Sequence, residues 1–230
     1  MAKFQFISLF FDLVFPRSCA ACGTSMVMNE KFICTQCLLE LPKTNFHNHE
    51  NNPVAQSLWG RINVENATAY YFFEKGSKFK NLIHNIKYKG QKELGLGLGK
   101  LFGQELKHTK FSLVDEIIPV PLHSRKKRKR GFNQSEWIAQ GLAENLGKSL
   151  NTKQLYRAKA NPTQTNKSRY ERWENVEGIF KLKDPESLKG KHILLVDDVL
   201  TTGSTIEACA YPILEIEGTH VSLAVLAYAL

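Results

Sequence analysis

No stretch of this chain is apolar for long enough to cross a bilayer. The nearest approach runs from Phe4 to Phe15, a dozen residues interrupted by Asp12, where a spanning helix needs about 20. No small-residue cleavage pattern follows it, so it does not read as a secretory signal. It is expected to form an amphipathic helix packed on the body of a protein that has no membrane span and works in the cytoplasm. Two nucleotide-binding patterns are also missing. There is no GxxxxGK[ST], which excludes a phosphate loop of the nucleoside-triphosphatase kind. Gly95, Gly97, Gly99 and Gly103 in "ELGLGLGKLFG" do not follow GxGxxG spacing, and no apolar strand leads into them. That run is expected to be a loosely packed helix or loop. Internal repeats are absent.

Acidic residues are scarce in one region. Residues 120–175 hold thirteen Lys and Arg against four Asp and Glu, while the rest of the 230-residue chain has eighteen of each, so the whole net charge of +9 belongs to one quarter of the sequence. Such a concentration points to a phosphate-rich ligand or a nucleic acid facing that region. A hydrophobic content of 43% is enough for a packed core.

Cysteines are few but placed in a pattern. Cys19, Cys22, Cys34 and Cys37 form two CxxC pairs. Each pair presents two thiolates from one tight turn, with Gly23 easing the first. Two facing turns complete a closed tetrahedral sulfur shell, the form of a structural zinc site with no open position for substrate. An iron–sulfur cluster would use the same ligands. Disulfides are disfavoured without a secretory signal. His47 and His49 are expected at the surface, and Cys209 as a small buried hydrophobe.

Beyond the cysteines, the polar, Asn-rich stretch Lys43–Ser57 reads as a linker. Strand and helix patterns then alternate: "ATAYYFF", "KFKNLIHNIKYKG" with Phe79, Leu82, Ile83 and Ile86 on one face, "VDEIIPVPL", "NQSEWIAQGLAENLGKSL" capped by Asn133, "HILLVDDV", "GSTIEACAYPILEIEG" with a kink at Pro212, and "HVSLAVLAYAL". Alternation of this kind predicts an α/β fold, a mostly parallel sheet flanked by helices, preceded by a small amino-terminal zinc-binding element. The expected division is residues 1–45 for the amino-terminal helix and the four-cysteine zinc-binding element, 46–65 for the linker, and 66–230 for the α/β domain.

The segment "HILLVDDVLTTGST" carries the chemistry. A buried strand ends in Asp197 and Asp198, whose carboxylates can accept hydrogen bonds from sugar hydroxyls. The turn Thr201, Thr202, Gly203, Ser204, Thr205 then offers hydroxyls and backbone N–H groups at the positive start of a helix, which favours a phosphate. Diol and phosphate read side by side describe a ribose 5-phosphate site.

"ILLVDDVLTTGST" closely resembles the binding motif of type I phosphoribosyltransferases, whose ligand is 5-phosphoribosyl 1-diphosphate (PRPP). That resemblance implies that Asp197 and Asp198 bind the ribose 2- and 3-hydroxyls, that Thr201 to Thr205 cradle the 5-phosphate, and that Mg2+ bridges ligand oxygens. It also implies that the diphosphate lies over the turn in "IPVPLH", at Val120 and Pro121. Over nearly the whole chain, the order CxxC, CxxC, "IHNIKYKG", "IPVPLHSRKKRKRGFNQS", "TQTNKSRYERWENVEGIF" and the PRPP motif is similar to that of the ComF family of competence-associated proteins. Ser204, Pro212 and the density of the basic run depart from the usual family pattern. The family resemblance implies PRPP binding and the handling or internalising of single-stranded DNA in natural transformation, with competence or DNA-uptake proteins as partners. The alternatives are an active phosphoribosyltransferase transferring ribose 5-phosphate to a nucleobase or amine, and a PRPP-sensing regulator of DNA binding.

Six consecutive cations, Arg125, Lys126, Lys127, Arg128, Lys129 and Arg130, exceed what one diphosphate can use and are expected to attract a DNA backbone, with Phe132, Tyr156, Tyr170 and Trp173 as stacking aromatics. "NPTQTNKSRYERWENV", with Gln164, Lys167, Arg169 and Arg172, is expected to be a lid over the ligand.

Overall fold

The computed structural model describes residues 17–27, 29–74, 78–158 and 178–229. The expected helix at Phe4–Phe15 and the expected lid, with Gln164, Lys167, Arg169, Tyr170, Arg172 and Trp173, lie outside the described residues. In chain order the elements are α1 (Thr35–Glu40), α2 (Pro53–Gln56), β1 (Ala67–Phe73), α3 (Lys78–Tyr88), α4 (Lys92–Leu106), β2 (Glu116–Pro119), α5 (Ser124–Arg130), α6 (Gln134–Leu146), β3 (Ser149–Leu150), β4 (Leu155–Arg157), β5 (Phe180–Leu182), β6 (His192–Leu200), α7 (Ser204–Leu214) and β7 (His220–Ala229).

Five strands form one parallel sheet in the order β1-β7-β6-β2-β3. A parallel strand is covered on both faces, which is why "HILLV" and "VSLAVLA" are nearly unbroken apolar runs. Alternation along β6 divides them between two cores. Leu194 and Val196 face α3, α4 and α6, while Ile193 and Leu195 face α2 and α7. The antiparallel pair β4–β5 stands apart from the sheet.

The direction of the connections fixes where a ligand can enter. From β2 the chain goes through α5 and α6 to β3 on one side, whereas from β6 it goes through α7 to β7 on the other. Two neighbouring strands whose connections diverge leave a crevice beyond their carboxyl ends, the site that open α/β sheets use for ligands. The β2–β6 ladder ends at Pro119 opposite Val196, closed by the Val120 N–H on the Val196 carbonyl at 2.8 Å, but β6 remains paired with β7 to Leu200. Asp197 and Asp198 therefore lie where β6 loses one neighbour.

The structure departs from the sequence-based expectation in two places. The glycine-rich run is not loosely packed: it is the fifteen-residue helix α4, pressed against α6. A Cβ on Gly99 would stand 2.2 Å from the Ile138 carbonyl oxygen, and one on Gly141 would stand 2.3 Å from that of Leu96. The glycines let two backbones touch, which outweighs their weak helix propensity. The stretch Lys43–Ser57 is not a free linker either. Phe46, Val54, Ala55 and, just beyond it, Leu58 are buried, and the Asn52 amide donates to the carbonyls of Ala67 and His49, both at 2.7 Å, while its Oδ1 caps α2. Asn52 serves as both cap and crosslink, which composition alone does not distinguish from a polar linker. The predicted caps and strands elsewhere are present: Asn133 Oδ1 accepts from the Ser135 N–H, and α7 continues two residues past Pro212.

Candidate functional site

The cysteine element is built from two turns. Gly23, at φ 80°, lets the first close, with its N–H on the Cys19 carbonyl at 2.8 Å. Cys34 caps α1, its sulfur accepting from the Cys37 N–H at 3.4 Å. Cys19 Sγ accepts from the N–H groups of Ala21 and Cys34 at 3.4 and 3.3 Å. All four sulfurs lie within 4.8 Å of one another, and the cysteines are unpaired by disulfides. Backbone donors aimed at sulfur favour thiolates, and four soft donors in one cluster can hold a metal ion. The Thr24 hydroxyl beside Cys22 lowers that thiol to about 6, while burial pushes Cys37 well up. Asn81 and Asn85 of α3 donate to the carbonyls of Ala21 and Ala20, each at 2.8 Å, which docks the element on the sheet's helical layer. His49 is exposed, His47 is half-buried and Cys209 is buried.

At the switch crevice, β6 runs two residues beyond the aspartates, so they lie within a strand rather than at its tip. Successive side chains of a strand point to opposite faces, and the two carboxylates meet different partners. Asp197 Oδ1 accepts from the Ser135 hydroxyl at 2.8 Å and from the Asp198 N–H at 2.9 Å. Asp198 is buried, and its Oδ2 pairs with Lys87 Nζ of α3 at 2.7 Å, outside hydrogen-bonding geometry. Burial, with the neighbouring Asp198 charge second, drives the Asp197 carboxyl up to about 7 against the pull of Ser135, the Asp198 amide and Lys87. The site thus holds two carboxylates under strain for charge, a state that a hydroxyl donor or a cation relieves.

The turn that follows is open. Thr201, Thr202, Ser204 and Thr205 are exposed and Gly203 is buried at φ 75°. Among the described residues no side chain caps α7, and its first N–H groups have no partner there. Across the crevice, Val120 and Pro121 offer no donor, since the Val120 N–H is held by Val196 and proline has none. Leu122 and His123 follow, with N–H groups that make no hydrogen bond among the described residues. The Asn133 amide fixes this turn by donating to the Val120 carbonyl at 2.9 Å.

The six cations form α5, a short helix capped by His123 Nδ1 on the Arg125 N–H and closed by Gly131 at φ 80°. Like charges at helical spacing repel, and two of them are anchored to α6: Lys127 to Glu136 and Arg130 to Gln134, both at 2.9 Å. The side chains of Arg125, Lys126, Arg128 and Lys129 have no partner among the described residues. Phe132 is buried beneath Lys92 and cannot stack an exposed base, whereas Tyr156 is exposed.

Sequence reasoning missed Lys87, Ser135 and Arg61. Lys87 and Ser135 stand within the runs "IHNIKYKG" and "GFNQS", but their partners Asp198 and Asp197 are 111 and 62 positions away, beyond the reach of local pattern. Arg61 donates through Nη1 to the Thr202 carbonyl at 2.6 Å, and nothing in its neighbourhood marks it.

A parallel sheet with paired acids at its switch point and an uncapped glycine turn beyond them defines a phosphoribosyltransferase-type domain, and the family model for the phosphoribosyl transferase domain matches residues 118–230. The DNA utilization protein YhgH of Escherichia coli K12 is 32% identical over 201 residues, 84% of this chain and 82% of that protein. Its namesake in Salmonella typhimurium is 38% identical over 133 residues, 56% of this chain and 58% of the relative's length. Competence protein ComFC of Bacillus subtilis is 34% identical over 99 residues, 43% of this chain and 38% of that protein. The chain belongs to the ComF family. No helix among its described residues is long and apolar enough to cross a membrane.

The raised Asp197 carboxyl has a signed consequence. Between the ordinary carboxylate range and about pH 7 the folded state keeps a proton that the unfolded chain has released, so stability falls as pH rises through that window. Asp197→Asn, which keeps an acceptor for Ser135, should therefore raise Tm over the parent protein at pH 8 and lose most of that advantage at pH 5. Thermal melts at the two pH values check this, and an advantage independent of pH contradicts it.

Proposed function

We propose that this protein binds PRPP with Mg2+ in the switch crevice and uses that site in handling or internalising single-stranded DNA during natural transformation, in the cytoplasm and alongside proteins of DNA uptake. The observation that carries this reading is the meeting, where β6 loses its β2 neighbour, of compensated carboxylates, a helix start without a cap among the described residues, and four cations without a partner among them. Asp197 and Asp198 take the ribose hydroxyls. The turn Thr201–Thr205 takes the 5-phosphate at the positive end of α7. The diphosphate lies over Val120 and Pro121, held by the N–H groups of Leu122 and His123. Mg2+ suits hard oxygen donors, and the half-buried Asp197, whose raised carboxyl a nearby cation would relieve, fits such an ion or a water bound to it. When bound, the ion neutralises the diphosphate.

DNA handling is supported by the relatives' names, which speak of DNA utilization and competence, and by α5, where Arg125, Lys126, Arg128 and Lys129, without a partner among the described residues, lie directly after the diphosphate turn. The cysteines hold structural zinc in this reading, since a closed shell of four sulfurs leaves no position for substrate.

Three experiments test the proposal. Metal analysis of the purified protein should find one zinc per chain, lost in the Cys34→Ser/Cys37→Ser double variant; a full complement in that variant refutes the assignment. Calorimetry with PRPP and Mg2+ should detect binding that Asp197→Ala/Asp198→Ala weakens roughly 100-fold, as expected for two charge-assisted hydrogen bonds of about 1.5 kcal/mol each. Equal affinity removes the site. Changing Arg125, Lys126, Arg128 and Lys129 to Gln, with the anchors Lys127 and Arg130 left in place, should flatten the salt dependence of oligo-dT binding by roughly 0.7 in log–log slope for each phosphate no longer neutralised. An unaltered slope assigns DNA to another surface.

A further inference from the structure

Arg61 comes from the segment between α2 and β1, outside every motif so far assigned to the site, yet its guanidinium lies against the turn before α7. Nη1 donates to the carbonyls of Thr202 at 2.6 Å and Ser57 at 3.2 Å, Nε donates to Glu207 Oε2 at 3.0 Å, and Nη2 reaches Ser204 Oγ at 3.4 Å while pairing with the same Glu207 carboxylate. The approach is close enough that a Cβ on Gly203 would stand 3.0 Å from Nη1 and 3.1 Å from Leu58 Cδ2. The guanidinium is not sealed in, for Arg61 also lines an open cavity of about 380 Å³ with Trp59, Gly60, Ile62 and Asn63.

Two physical effects follow from this arrangement. Glu207 occupies the first turn of α7, where its carboxylate would take the helix's positive end for itself and repel an arriving phosphate. Arg61 cancels that charge with a fork of donors that a lysine cannot supply. In addition, a trans peptide holds its C=O and N–H in opposite directions. Drawing the Thr202 carbonyl onto Arg61 therefore turns the Gly203 N–H away from Arg61, to the side of the turn left for a ligand.

We infer that Arg61 is a positioning residue for the phosphate turn: it orients the turn's amide groups and neutralises Glu207, so that a phosphate monoester on a sugar can occupy the start of α7. This rests on the PRPP reading above and deepens it. Because the turn receives only the 5-phosphate, Arg61 should matter for any ligand carrying that group and not for the diphosphate half.

Calorimetry in the presence of Mg2+ with three probes, PRPP, ribose 5-phosphate and inorganic pyrophosphate, separates these effects. Arg61→Ala should weaken PRPP and ribose 5-phosphate roughly tenfold or more and leave pyrophosphate as in the parent protein. Adding Glu207→Gln to Arg61→Ala should restore part of the loss. If Arg61→Ala does not fold, Arg61→Gln, which keeps a planar donor without the charge, should show the same selective loss at smaller size. A parallel loss for all three probes would reduce Arg61 to a general structural support and overturn the inference. So would unchanged affinity for PRPP in a protein whose Asp197→Ala/Asp198→Ala variant has lost it, which leaves the site standing without Arg61. A parent protein that binds no PRPP overturns the site and the role of Arg61 together.

Discussion

Two adjacent carboxylates inside a parallel sheet are an electrostatic problem, and much of this molecule is arranged around its solution. A buried carboxylate without compensation is far costlier than any single packing contact. Compensation comes from two helices: Lys87 at the end of α3 for Asp198, and Ser135 at the start of α6 for Asp197. Neither answer is complete. Asp197 stays protonated to nearly neutral pH, and one oxygen of Asp198 has an ion pair but no hydrogen bond. A site kept partly unsatisfied in this way has interaction energy left for a ligand, at the expense of the stability of the empty protein.

The same two helices tie the crevice to the rest of the chain. α3 carries Lys87 near one end and, through Asn81 and Asn85, holds the cysteine element along its length. The element shares the core on that side of the sheet through Cys19, Ala21, Cys37 and Leu41, so it is fused to the fold rather than appended to it. The segment before β1 does likewise on the opposite face, where Val54, Ala55 and Leu58 pack with the α7 side and deliver Arg61 to the turn.

Much of this was legible in sequence because it is local. Unbroken apolar runs marked β6 and β7, helical spacing marked α3, and the succession of acids, threonines and glycine marked the turn before α7. Paired CxxC spacing likewise anticipated the sulfur cluster. What stayed hidden depends on partners distant in the chain. Lys87 looks like any helix-end cation until the sheet brings Asp198 to it, and Arg61 sits in a polar stretch whose asparagines imitate a linker. Val120 and Pro121 lie at the proposed diphosphate turn, but the register of β2 on β6 uses up the Val120 N–H and leaves Leu122 and His123 as the donors without a partner among the described residues. The glycines of α4 misled in the other direction, since poor helix formers suggest looseness unless the facing helix also presents a glycine.

That facing pair has a bearing on the crevice itself. Where side chains separate two helices, a rotamer change can absorb a small slide of one along the other; where Gly99 and Gly141 bring main chain onto main chain, no such cushion exists. α6 is locked lengthwise, and with it Asn133 and Ser135, which grip the β2 turn and Asp197. The width of the opening between β2 and β6 is therefore set at a distance by residues that have no side chain to contribute.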